Sequence, residues 1–167
     1  SCHQKTFKEW KATNVEDTCQ DCHMPRKKSR LTQKAGFNLL HKKRWVGDHR
    51  FLHGEIKEKD VVMESGWEEN FFIISLKNQT IPHFVPTADN GDPRLYLYIK
   101  FFNEAGEEVD NAKEIIAPQQ ETALPYNKKM RYRYRLFDKI IKAEVELKYQ
   151  PAWSKEKSTV RTETVLR

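Results

Sequence analysis

Arg94-Leu95-Tyr96-Leu97-Tyr98-Ile99-Lys100-Phe101-Phe102 is a run in which every position except the two basic ones is aromatic or aliphatic. A run this rich in aromatic and branched side chains reads as a strand. Asn103-Glu104-Ala105-Gly106-Glu107 then reads as a turn, and Glu114-Ile115-Ile116-Ala117 as a short strand ended by Pro118. Lys129 to Phe137 alternates basic and apolar residues, the period-two pattern of a half-buried strand, and Lys142 to Tyr149 does the same. Thr159 to Val165 adds one more candidate, and Asn70 to Asn78 one on the other side. Several strands at this spacing, with turns between them, argue an all-β sandwich. Arg131, Arg133 and Arg135 then form a solvated sheet face. A nucleic-acid stripe is disfavoured, because the neighbouring lysines are interleaved with glutamates.

Upstream the character changes. Residues 1–60 are polar, hold five of the six histidines, and lack regular alternation. The first helix candidate spans about residues 6–13, Arg26 to Lys34 reads as a basic loop, and residues 61–67 read as a link. The division expected is a segment of residues 1–62 followed by a sandwich of residues 63–167. The fold class expected is α+β overall, an irregular or helical segment ahead of an all-β region.

Within that segment lies Cys19-Gln20-Asp21-Cys22-His23, a CxxCH element. This spacing is the attachment signature of c-type haem. Two thiols three residues apart can each add to a haem vinyl group, and the following histidine is held under the iron as proximal ligand. The competing readings are zinc and a redox CxxC. Zinc needs a second ligand pair, for which only Cys2 and His3 offer themselves, at an odd spacing. A redox CxxC needs a βαβ context that is absent. The opening Ser1-Cys2-His3-Gln4 looks like the tail of a second CxxCH whose first cysteine lies upstream. That would explain the odd total of three cysteines and place the natural N-terminus before residue 1.

The hydrophobic fraction is 38% and the charged fraction 32%, so the side-chain core is modest. The formal charge is +6. Arg26-Lys27-Lys28-Ser29-Arg30 and His41-Lys42-Lys43-Arg44 admit a nucleic-acid reading, but haem propionates would pair equally well with these cations. No run is long and apolar enough to span a membrane, and no signal peptide is visible. No nucleophile elbow or carboxylate pair suggests hydrolysis.

Cys2-His3, Trp10, and Cys19 to His23 followed by Met24-Pro25 together resemble the multihaem c-type cytochromes. Two later stretches extend the resemblance. One is His49-Arg50-Phe51, with His53 and Gly54 beside it. The other is Ile81-Pro82-His83-Phe84-Val85-Pro86-Thr87, similar to a Gly-His-x-x-Pro-Thr-Gly element between the first strands of a C-terminal Ig-like sandwich. Here Pro82 and Ala88 replace that element's two glycines.

The resemblance implies two c-type haems, with Cys2, Cys19 and Cys22 as thioether attachments. It makes His3 and His23 the proximal ligands. His49 and His83 are then distal, with His53 as runner-up and His41 weaker. Histidine is in surplus, and Met24, beside His23, cannot easily reach the opposite face of the same haem, so bis-histidine ligation is the better reading. Trp10 and Trp45 are candidates to lie on porphyrin faces. The function implied is electron transfer, as an electron carrier rather than an enzyme and as the C-terminal part of a longer cytochrome. Its partners would be other haems, redox proteins, or copies of itself in a wire-like assembly. Neither nucleic acid nor a transmembrane segment is expected. Covalent haem attachment implies a periplasmic, cell-surface or extracellular home. The alternatives are part of a multihaem oxidoreductase, or a haem-free sandwich binding module with a zinc site.

Overall fold

The computed structural model describes residues 4–30, 41–48, 55–88, 91–136 and 139–167. These residues fall into two compact units, one of residues 1–13 with 55–167 and one of residues 14–54.

The larger unit is built on β5 (Arg94–Phe102). Leu95, Leu97, Ile99 and Phe101 point inward and are essentially without exposure. Tyr96, Tyr98 and Lys100 take the other face, as the two-residue period of a strand requires. On either side pair β6 (Glu108–Ile116) and β8 (Lys142–Gln150), and β9 (Ser158–Leu166) follows β8. This four-stranded sheet, β6-β5-β8-β9, is antiparallel throughout. Gly106, at φ 78°, lets the turn between β5 and β6 close, with Gly106 N–H donating to the Asn103 carbonyl at 3.0 Å.

The second sheet has the order β3-β4-β7, from Val61–Glu68, Phe71–Asn78 and Lys129–Arg135. Phe72, Ile74 and Leu76 of β4 are fully buried against the first sheet. The ring of Phe72 meets that of Phe101 edge-on at 5.5 Å, so one aromatic from each sheet forms the centre of the core. Burying each such side chain contributes about 1.5–3 kcal/mol. The two sheets and their shared core make a three-on-four β-sandwich, compatible with an immunoglobulin-like one.

α1 (Gln4–Lys11) belongs to this unit, tied to the loop after β4 by side-chain bonds taken up below. The smaller unit contains α2 (Cys19–His23) and the antiparallel ladder of β1 (Arg26–Ser29) with β2 (Arg44–Gly47). Among the described residues no helix is long and apolar enough to cross a membrane.

The expectation of an α+β molecule with a helical or irregular leading segment is therefore corrected. The described chain is essentially all-β, with α-helix only in the eight residues of α1 and the five of α2. Arg26 to Ser29, read as a basic loop, is a strand. Its lysines are polar at the tip but have aliphatic stems that can be half-covered, so no apolar alternation marks it. The link expected at residues 61–67 is strand β3. Glu64, Ser65 and Gly66 break its apolar pattern, and its identity comes from pairing with β4 along its whole length.

Candidate functional site

Thr18 starts the turn that carries the cysteines. It is extended, at φ −84° and ψ 162°, and its backbone N–H and hydroxyl both donate to Asp21 Oδ2, at 2.8 and 2.6 Å. These bonds hold the Asp21 carboxyl below its ordinary range, the hydroxyl contributing most and Arg26 adding a smaller electrostatic pull. Met24 N–H donates to Gln20 O at 2.9 Å and closes the turn, and Pro25 follows. α2 is thus one helical turn. Cys19 and Cys22 stand at i and i+3 on it, and His23 at i+4 from Cys19, so all three share a side. All three are exposed within their unit, and both thiols are free of disulfides.

Burial, then the charges of Asp17 and Asp21 and the neighbouring Cys19, push the Cys22 thiol up. Cys22 is therefore a neutral thiol at pH 7. A redox CxxC draws on a thiolate, whose pKa is lowered. Among the described residues no three His, Cys, Asp or Glu side chains converge as a metal cluster.

The β1–β2 ladder anchors the chain leaving α2. Asp48 N–H donates to the Pro25 carbonyl at 3.0 Å. The Asp48 carboxylate, 5% exposed, meets Lys27 Nζ at 2.9 Å. Lys28 Nζ lies 5.5 Å from the ring centre of Trp45, which is itself exposed. Trp10, half-buried, belongs to α1 and sits 5.5 Å from Phe7. His41 is exposed.

His83 stands in the loop after β4. Asn78, at the end of that strand, is wholly buried. Its Nδ2 donates to the carbonyls of Ile81 at 2.9 Å, His83 at 2.7 Å and Leu124 at 3.4 Å, while its Oδ1 accepts from Ile81 N–H at 3.2 Å. The loop is folded around this one amide. His83 Nδ1 lies 2.9 Å from the Phe84 carbonyl oxygen. A carbonyl only accepts, so Nδ1 carries the hydrogen of this bond. A histidine that ligates a metal through Nε2 commonly has its Nδ1–H held by a carbonyl in this way.

Of the residues singled out in the sequence, Cys19, Cys22 and His23 come together on α2, and His83 is held in the other unit. Cys2, His3, His49 and His53 lie outside the described residues. Sequence reasoning passed over Asn78 and Glu9. An asparagine closing an apolar strand is a turn-forming signal that points to Asn78. Nothing local points to Glu9.

The chain matches no family model and no curated protein. Among solved structures it is similar to the penta-heme cytochrome c552 from Thermochromatium tepidum. The TM-score is 0.62 at 17% identity, over 97% of this chain and 50% of that one. The chain thus spans about half the length of that neighbour. The likeness is one of fold: the chain is folded like part of a multihaem cytochrome.

Proposed function

We propose that this chain transfers electrons through covalently bound, bis-histidine c-type haem, as a section of a multihaem cytochrome. The observation that carries the reading is α2, one exposed turn presenting two free thiols and an imidazole. The residues fit the group. Cys19 and Cys22 would form the thioethers. His23 would be the proximal ligand, and His83, with its Nδ1–H held by the Phe84 carbonyl, a distal one. Such a haem, when bound, supplies one-electron exchange at an iron with no open coordination position. The protein's part is to hold the ring of each histidine still, so that oxidation and reduction proceed with little rearrangement. The fold neighbour, itself a penta-heme cytochrome, supports the same reading.

The reading extends to Cys2 and His3 as a second attachment site and to His49 as a further distal ligand, with His53 as runner-up. It places the protein in the periplasm, at the cell surface or outside the cell, with other haems or redox proteins as partners. The test is the spectrum of the denatured protein in alkaline pyridine after acid-acetone extraction. A retained c-type haemochrome with two haems per chain is expected. A colourless chain made with the covalent haem-attachment machinery present would overturn the proposal.

A further inference from the structure

The peptide joining His83 to Phe84 is held at both ends. Its carbonyl, belonging to His83, accepts from Asn78 Nδ2 at 2.7 Å. Its N–H, belonging to Phe84, donates to Glu9 Oε2 at 3.2 Å. The Phe84 carbonyl, in the next peptide along, holds the imidazole through Nδ1 at 2.9 Å. The backbone that aims the ring is therefore clamped from the core by Asn78 and from α1 by Glu9.

Glu9 is also held by this loop. Thr87 Oγ1 donates to the same Oε2 at 3.3 Å, and Thr6 Oγ1 lies 3.2 Å from Thr87 Oγ1. With the Thr87 hydrogen directed at Glu9, Thr6 is the donor of that last bond. The other carboxylate oxygen, Oε1, is buried with no hydrogen-bond partner among the described residues. Covering half of a carboxylate is costly, and a neutral side chain would avoid it. What the charge achieves is a firm acceptor for the Phe84 N–H, because charge-assisted bonds are about twice as strong as neutral ones.

We propose that Glu9 is a positioning residue for His83, fixing the Phe84 peptide so that the imidazole is set in advance to ligate a haem iron. The proposal rests on the cytochrome reading and adds a link within it. α1 begins immediately after His3, so Glu9 ties the chain following one attachment motif to an axial histidine 74 positions away. A residue that orients a ligand by hydrogen bonding governs how tightly that ligand stays on the metal.

The experiment uses the full chain carrying its covalent haem. Glu9→Ala, Glu9→Gln and His83→Ala are compared by haem per chain, by the high-spin signal of the ferric iron, and by the rate at which cyanide displaces histidine. His83→Ala is expected to turn one haem high-spin, and added imidazole to restore it. Glu9→Ala should keep its haem and its sheet content yet exchange His83 for cyanide about tenfold faster at one haem. Glu9→Gln, whose amide oxygen still accepts from Phe84 and Thr87 but without the charge, should fall between the parent and Glu9→Ala. If Glu9→Ala fails to fold, Thr87→Val removes one donor to Glu9 at nearly constant volume and should give about a fivefold rise, the scale of one hydrogen bond. An effect of His83→Ala with none from the Glu9 or Thr87 variants overturns the positioning role and leaves the cytochrome reading intact. No effect of His83→Ala overturns the ligand assignment and the positioning role together. Absence of covalent haem overturns the function itself.

Discussion

Asn78 Nδ2 donates to the carbonyl of His83 at 2.7 Å from a side chain with no exposure to solvent. The same amide also bonds Ile81 and Leu124, so it organises the loop alongside the single bridge between Val85 and Leu124. Asn78→Ala would take this partner from the His83 carbonyl and from the Ile81 N–H, while the Ile81 and Leu124 carbonyls keep the N–H groups of His83 and Val85; each buried loss costs about 1–3 kcal/mol. A destabilisation of about 3 kcal/mol in urea unfolding is expected. A change under about 1 kcal/mol would show that the loop holds itself without the amide.

Phe72 tests the core. It touches Trp67 at 4.7 Å and Phe101 at 5.5 Å, and it is fully buried. Phe72→Ala should cost about 3–5 kcal/mol, the range for removing a large buried aromatic. Phe71 is the control one residue away. It lies on the outer face, with the Arg133 guanidinium 3.5 Å from its ring centre. Phe71→Ala should cost about half as much or less, since its ring is only part-covered. Equal losses at the two positions would mean that the register of β4 is wrong.

The parts of this fold that could be read from sequence are those whose cause is local. β5 announces itself because its own residues supply the alternation and the bulk. β7 and β8 do so because their charges alternate with apolar groups. β3 and β1 are hidden because their strand character lies in a partner. Val61 to Glu68 is a strand by virtue of Phe71 to Asn78, and Arg26 to Ser29 by virtue of residues 44–47. The turn α2 is legible for the same reason as β5, since the spacing of Cys19, Cys22 and His23 marks it. The contact between Glu9 and the Phe84 N–H spans 75 positions, and no periodicity encodes it.

Asp21 gives a pH signature. Its carboxyl is held low because the folded turn binds the charged form through Thr18. A depressed folded value means that the turn's gain is present above the unfolded pKa of about 3.9 and is lost as pH falls through the lower folded value. An NMR titration of the Asp21 carboxyl should find its midpoint below about 3.9. Thr18→Val removes the hydroxyl and should move that midpoint upward. It should not return fully, because the Thr18 backbone N–H still donates. An ordinary midpoint in the parent protein would show that the capping bonds do not form in solution.

Cys22 separates the haem reading from a redox CxxC without any haem present. Its thiol is pushed up, first by burial and then by Asp17, Asp21 and Cys19. In a chain made without haem and carrying Cys19→Ser, only burial and the two carboxylates remain to act on it. The rate of Cys22 alkylation against pH should then rise with a midpoint above that of free cysteine, about 8.5. A redox CxxC would show the reverse, a midpoint below neutral or near it, because a nucleophilic cysteine needs its thiolate at working pH. Asp17→Asn with Asp21→Asn should bring the midpoint of Cys22 down, since it removes two negative charges that oppose a third. A midpoint already below about 8.5 in the Cys19→Ser chain would place Cys22 among reactive thiols and favour redox chemistry.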